Sequence, residues 1–216
     1  MELPTRRDLV DEVRWLGVSD PRLLDALQEV PRVEFVPHDA VEYAYLDRPL
    51  PIPHGQVTTQ PSLVAKMIEA LGLVGSESVL EVGTGYGFQT ALLARLARVV
   101  WSIERWEDIA ETARANLARL GITNASVLVG DGSEGLPDQA PFDGIVVSAA
   151  FPKVPQPLAD QLAAGGRLIQ PLGAGGAETV VLFEKGSGGL VRRRAITEAR
   201  FVRLYGTHGF PEEPSM

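Results

Sequence analysis

Three alternating glycines follow an apolar run that contains a carboxylate: Val79-Leu80-Glu81-Val82-Gly83-Thr84-Gly85-Tyr86-Gly87. An uninterrupted apolar run reads as a buried parallel strand. Glycines directly after it let the backbone turn sharply and approach a ligand that side chains would hold off. The helix expected next, about Phe88 to Leu96, presents free N–H groups and its positive end to the bound molecule. Two chemistries fail at this loop. A dinucleotide fingerprint, G-x-G-x-x-G, needs a third glycine where Phe88 stands, and a phosphate-cradling P-loop needs a lysine that does not follow. Two further acidic positions extend the pattern. Glu104, with Arg105 beside it, ends the run Val99-Val100-Trp101-Ser102-Ile103, at the distance where nucleotide-binding folds set a carboxylate on ribose hydroxyls. Asp131, between Gly130 and Gly132, ends the run from Ser126 to Val129, and its side chain there suits an exocyclic amine such as that of adenine. Each piece alone has a plainer reading, because Gly-rich strand ends and Gly-Asp-Gly also serve turn geometry. Together, in order at three consecutive strand ends, they are what a ligand lying across the carboxyl edge of an open sheet requires.

The elements that must hold these residues follow from periodicity. Thr5 and Asp8 form a capping-box pattern ahead of a helix from Arg6 to about Leu16, and Ser19-Asp20-Pro21 opens a second helix. The stretch from Val36 to Gly55 is proline-rich and reads as an irregular segment that wraps a core or lines a site. Gln60-Pro61 opens a helix to about Leu71. Beyond it, strands near Val79–Val82, Val99–Ile103, Ser126–Val129, Phe142–Ala149 and Gly166–Pro171 alternate with helices centred on Leu92, Ala113 and Leu158. That alternation argues a Rossmann-like α/β fold, a doubly wound and mostly parallel sheet. Thr179–Glu184 and Arg200–Tyr205 follow with little helix between them, which implies an antiparallel C-terminal edge. The expected organisation is one compact domain: an N-terminal helical and substrate-loop elaboration over 1–59, a cofactor-binding domain over 60–210, and a flexible tail over 211–216.

Composition narrows the function. With 216 residues the chain can bury a substantial core. It has no cysteine and three histidines, so thiolate chemistry is excluded and a His-rich metal cage is not expected. A formal charge of −8 provides no footprint for nucleic acid, and Arg192-Arg193-Arg194 reads as a solvated edge. No apolar run approaches the ~20 residues that span a bilayer, and Met-Glu-Leu-Pro-Thr-Arg-Arg is not followed by an apolar signal region. A cytosolic enzyme without metal, membrane or nucleic-acid partner, and monomeric, is the expectation.

The E-x-G-x-G-x-G loop resembles that of the class I methyltransferases, whose backbone packs against the amino acid moiety of S-adenosylmethionine, leaving S-adenosylhomocysteine as product. Amino-group methyltransferases commonly place Asn/Asp-Pro-Pro-Tyr/Phe after the fourth strand; here Ser148-Ala149-Ala150-Phe151-Pro152 stands there and offers no such nitrogen clamp. Asp143, at the opposite end of its strand, suits strand entry and not a metal site of the catechol type.

Leu50-Pro51-Ile52-Pro53-His54-Gly55-Gln56-Val57-Thr58-Thr59-Gln60-Pro61 carries a closer match. With Arg32-Val33-Glu34-Phe35-Val36-Pro37, Ala44-Tyr45-Leu46-Asp47, Gly130-Asp131-Gly132, Ala140-Pro141-Phe142-Asp143, Gly165-Gly166-Arg167-Leu168 and Phe201-Val202-Arg203-Leu204, it resembles the protein-L-isoaspartate O-methyltransferase family over about residues 4 to 206. That resemblance implies methyl transfer to the α-carboxylate of L-isoaspartyl residues in aged peptides and proteins, and repair through a succinimide. It implies that Glu81, Gly83, Thr84, Gly85, Gly87, Glu104, Arg105 and Gly130–Gly132 hold the cofactor. Thr59 takes the place of the family's hydroxyl residue, and His54, Gln56, Val57, Thr58, Arg203 and Leu204 face substrate. A carboxylate nucleophile is already ionised at neutral pH, so no general base is expected. Val57 and Thr58 replace a Thr-Ile pair of the family, Arg203 replaces a proline, and Thr59 also stands where a helix N-cap is expected. The Val57-Thr58-Thr59 variation keeps open a carboxyl methyltransferase that acts on aspartate of a dedicated peptide, and a cofactor-binding regulator without catalysis is a second alternative, since it too would keep Glu81, Glu104 and Asp131. A small-molecule carboxyl methyltransferase is a third.

Overall fold

The computed structural model describes residues 3–211. Of the tail expected over 211–216, all but Pro211 lies outside the described residues. Helix α1 (Arg6–Trp15) starts at the expected capping box, with Thr5 accepting from the Asp8 amide and the Asp8 carboxylate accepting from the Thr5 amide at 2.8 Å. Helix α2 (Pro21–Glu29) starts at Asp20, whose side chain accepts from the Arg22 amide. Two 3-10 turns, Arg32–Phe35 and His38–Tyr43, lead into a short antiparallel ribbon of β1 (Leu50–Ile52) and β2 (Gln56–Thr58). The stretch expected to be irregular therefore contains a hairpin. Its strands are three residues long and form a separate two-stranded sheet, in which both strands are edges and a proline such as Pro51 is tolerated.

From α3 (Pro61–Leu71) onward the alternation holds: β3 (Ser78–Val82), α4 (Phe88–Leu96), β4 (Val99–Glu104), α5 (Glu107–Arg119), β5 (Ala125–Val129), β6 (Phe142–Val147), α6 (Gln156–Gln161) and β7 (Leu162–Leu172). A hairpin of β8 (Glu178–Gly186) and β9 (Gly189–Ala199) completes seven strands in the order β5-β4-β3-β6-β7-β8-β9. The first five are parallel and the last two antiparallel, as expected. The identity of the last strand differs. It is Gly189–Ala199, with the three arginines on it, and not Arg200–Tyr205. Residues 200–205 leave the sheet and return to the end of β6: Ala150 donates to the Val202 carbonyl and Leu204 to the Ala150 carbonyl, both at 2.8 Å, in a parallel bridge.

Every residue of β3 is buried, which is why this strand shows no polar alternation. Val79 joins the core under α1 to α4, whereas Leu80 and Val82 join the core that holds Leu158 and Leu204. At about 25 cal/mol per Å² of apolar surface, each large side chain in this strand contributes about 2 kcal/mol. The strand order reverses between β3 and β6, so the crevice at their carboxyl ends is where an open α/β sheet binds its ligand.

Candidate active site

A cavity opens at that crevice, with about 1020 Å³ of space counting its mouth. Its floor is the glycine loop. Gly83 and Gly85 have φ of +95° and +53°, and a Cβ on Gly83 would come within 3.3 Å of the Ser148 Cβ. Helix α4 begins directly after the loop with no side-chain cap, so its first amides remain available to a ligand.

Glu81 lies beneath this floor and does not reach it. Fully buried, its carboxylate accepts from Thr90 Oγ1, from Ser102 Oγ at 2.6 Å and from Gln89 Nε2 at 3.0 Å. Ser102 in turn bonds the Thr84 hydroxyl. Burial pushes Glu81 up to about 7, against the pull of those three donors. The residue anchors the loop to α4 and β4, and Thr84 and Gln89 carry its influence to the cavity wall. Gly87 likewise faces inward, packed near Phe35, Ala113 and Leu117 with φ +94°.

Glu104 does reach the cavity. Its Oε2 accepts from the Gly85 amide at 2.9 Å, and its Oε1 from the amides of Arg105 at 2.7 Å and Trp106 at 3.2 Å. One carboxylate therefore closes the glycine loop and holds the turn that leads into α5. Burial raises its pKa against these three amides. The Arg105 guanidinium lies 5.0 Å from the rings of both Trp106 and Tyr205, which brings the C-terminal segment against the start of α5.

Gly130 and Gly132 line the cavity, but the Asp131 side chain is turned away from it. Its Oδ1 accepts from the Ser133 amide and hydroxyl, and its Oδ2 from the Thr207 amide at 2.6 Å. Burial alone would raise its pKa, but the bonds from Ser133 and Thr207 outweigh it and hold the carboxyl below its ordinary range. The plainer reading of Gly-Asp-Gly as a turn therefore holds for this side chain, with Ser133 two residues on completing an Asx-type turn.

On the facing wall, the β1–β2 ribbon covers the cavity. Its tip is the turn from Pro53 to Gln56, with both central residues, His54 and Gly55, at positive φ as hairpin twist demands. His54 does not enter the cavity. Its ring stacks on Trp106 at 4.0 Å and 7°, and its Nε2 lies 2.9 Å from both Asp108 carboxylate oxygens, so it clips the ribbon to α5. Gln56, Val57, Thr58 and Thr59 all line the cavity. Thr58 Oγ1 is engaged, accepting from the Leu50 amide at 3.0 Å and from Arg32 at 3.3 Å. Arg32 is buried; it donates to the carbonyls of Ala44, Leu46 and Arg48, and burial lowers its pKa to about 10 although the Asp47 charge opposes this.

Thr59 is free of such duties. The N-cap of α3 is Gln60, and the acceptor for its second amide, Ser62 N, is the Asp47 carboxylate at 2.8 Å. The expectation that Thr59 caps this helix does not hold. Its hydroxyl makes no hydrogen bond among the described residues. Across the cavity, Val202, Arg203, Leu204 and Tyr205 form the third wall, with Leu204 largely buried and the Arg203 guanidinium 5.2 Å from the Phe210 ring. Trp106, Ile109, Gln89, Ser148 and Ile52 are among the other lining residues and were not singled out as site residues from the sequence. Ser148 stands at a strand end, the one signal that was available for it.

The model of the protein-L-isoaspartate(D-aspartate) O-methyltransferase family matches residues 4–209. The chain belongs to that family. Relatives named protein-L-isoaspartate O-methyltransferase include one from Methanoculleus marisnigri, 47% identical over 97% of this chain and 96% of its own length. One from Anaeromyxobacter dehalogenans is 50% identical over 92% of this chain and 96% of its length. A solved protein-L-isoaspartate O-methyltransferase superposes with a TM-score of 0.85 at 33% identity, over 95% of this chain and 67% of that one. A Plasmodium falciparum structure in complex with S-adenosyl-L-homocysteine superposes at 0.80 with 21% identity over 94% and 99% of the two chains, and so shares the fold. The motifs that carried the resemblance in the sequence fall within the matched span. Among the described residues no helix is long and apolar enough to cross a membrane, and no group of three or more His, Asp and Glu is placed to hold a metal ion.

Proposed function

We propose that this family member transfers the methyl group of S-adenosylmethionine to the α-carboxylate of L-isoaspartyl residues in damaged peptides and proteins. The observation that carries the reading is the Thr59 hydroxyl, uncommitted within the described residues, in the wall of a cavity floored by Gly83–Gly85 and flanked by Glu104.

The residues fit the cofactor. The positive-φ glycines and the open start of α4 suit its amino acid moiety, and Glu104 retains acceptor capacity for ribose hydroxyls after binding three amides. With Asp131 engaged elsewhere, adenine falls to the backbone of Gly130–Gly132 and to the apolar Ile103 and Ile109. When bound, S-adenosylmethionine supplies an electrophilic methyl on a sulfonium. The substrate carboxylate forms the new O–C bond as the C–S bond breaks, the electron pair stays on sulfur, and no proton moves. The protein's work is therefore positioning: Thr59 donates to one carboxylate oxygen, and the ribbon, Trp106 and the 202–205 segment exclude water. The methyl ester then loses methanol to attack by the following backbone amide nitrogen, giving the succinimide without further help from the enzyme. The reading extends to a cytosolic monomer that needs no metal and no nucleic acid.

Methyl transfer from labelled S-adenosylmethionine to two peptides that differ only in isoaspartate or aspartate at one position tests this. Strong preference for the isoaspartyl peptide supports it. Equal or absent labelling with cofactor still bound refutes it and favours a dedicated aspartyl peptide or a non-catalytic role.

A further inference from the structure

Ser148 is the first residue beyond β6, and it stands with Gly83 at the switch point of the sheet. Its amide donates to the Val82 carbonyl at 2.8 Å, and the Gly83 backbone is close enough that a Cβ there would press on the Ser148 side chain. The serine is partly exposed and lines the cavity. Among the described residues its hydroxyl has one partner: Gln89 Nε2, from the first turn of α4, donates to Ser148 Oγ at 3.0 Å.

The direction of that bond is set from below. Gln89 has two amide hydrogens, and the other goes to Glu81 Oε1 at 3.0 Å. Once Glu81 is ionised, above about pH 7, reversing the amide would press its oxygen against a carboxylate, so Gln89 Oε1 is the atom left without a partner among the described residues. With both N–H groups fixed, Ser148 Oγ must accept from Gln89, and its own proton must point elsewhere. Among the described residues nothing accepts that proton. The chain of polarity therefore runs from Glu81 through Gln89 to Ser148 and ends in an unused donor at the cavity wall.

We propose that Ser148 Oγ–H donates to a carboxylate oxygen of the acceptor residue, opposite the donor from Thr59, and so selects an anionic acceptor over a neutral amine. This rests on the methyl-transfer reading above and deepens it. An amine that must present its lone pair to a methyl group needs a hydrogen-bond acceptor at this position to orient its N–H, whereas a carboxylate needs donors. The place after the fourth strand of the alternating series thus holds a group of the polarity that suits a carboxylate.

The test compares wild type, Ser148→Ala and Ser148→Thr on an isoaspartyl peptide and on the same peptide with the carboxylate replaced by the neutral isoasparaginyl amide, which binds without being methylated. The expected result for Ser148→Ala is a kcat/KM about tenfold lower, S-adenosylhomocysteine affinity within about twofold of wild type, and a preference for carboxylate over amide peptide in binding that narrows about tenfold; Ser148→Thr keeps the wild-type preference. An unchanged carboxylate preference in Ser148→Ala, or a loss that falls on S-adenosylhomocysteine affinity instead, overturns the assignment. A wild type that methylates no isoaspartyl peptide refutes the functional reading and this inference with it, whereas an active wild type beside an indifferent Ser148→Ala refutes the inference alone.

Discussion

Replacing Glu81 by Gln should abolish a pH dependence of stability that the wild type carries. The carboxyl ordinarily titrates at 4.5, and burial raises it to about 7 in the folded protein despite three donors. Between those values the folded state holds a proton that the unfolded state has released, so stability falls as pH rises. The favourable contribution is complete below pH 4.5 and lost above about pH 7. At about 1.4 kcal/mol per pH unit, the span amounts to about 3 kcal/mol, a sizeable part of a typical domain's stability. Urea denaturation at pH 5, 6, 7 and 8 measures it, with the difference between wild type and Glu81→Gln at each pH removing the contribution of every other group. That difference should move against the wild type by about 1 kcal/mol per pH unit between pH 5 and 7 and then level off. A difference that stays constant with pH would refute the idea that Glu81 is desolvated beneath the loop.

Thr59→Ala should lower kcat/KM for an isoaspartyl peptide by tenfold or more while calorimetric affinity for S-adenosylhomocysteine stays within about twofold, and Thr59→Ser should retain activity; equal losses in both would remove Thr59 from the acceptor site. Asp47→Ala deprives the Ser62 amide and the Gln60 side chain of their acceptor, and should cost about 1–2 kcal/mol in chemical denaturation. His54→Ala frees the ribbon tip from Trp106 and Asp108, and should raise the dissociation rate of S-adenosylhomocysteine several-fold in stopped-flow measurements with little change in melting temperature. An unchanged dissociation rate would show that the clip does not gate the cavity.

What the sequence revealed divides along physical lines. The parallel strands were legible because burial on both faces leaves an unbroken apolar signature, and the glycine loop was legible because its backbone geometry restricts residue type. The last strand was not, because the charges that protect an edge strand from aggregation also hide its pairing: Arg192, Arg193 and Arg194 are the solvated edge they read as, but on a strand that their composition does not announce. The stretch from 200 to 205 has the composition of a strand but finds its partner in Ala150, some fifty positions earlier. Site residues divided likewise. Glu104 took the place its spacing assigned, whereas Asp131 met Ser133 and Thr207 instead of the cavity. The clip between His54 and Asp108 joins positions far apart in sequence whose types carry no mark of their meeting. The departure at Thr59 left two roles open until Asp47 was found to hold the helix start.

The bridge that stitches Val202–Leu204 onto Ala150 orders the assembly of the site in time. A chain emerging from the ribosome amino end first has its glycine loop, Glu104, Ser148 and most of the sheet before the acceptor wall exists. Such a nascent chain already carries Thr59 and Ser148, proposed to hold the acceptor carboxylate, together with the groups proposed to hold the methyl donor, and lacks the wall from Val202 to Tyr205 that closes the cavity on that side. The cavity therefore gains its third wall only after every other wall has been synthesised.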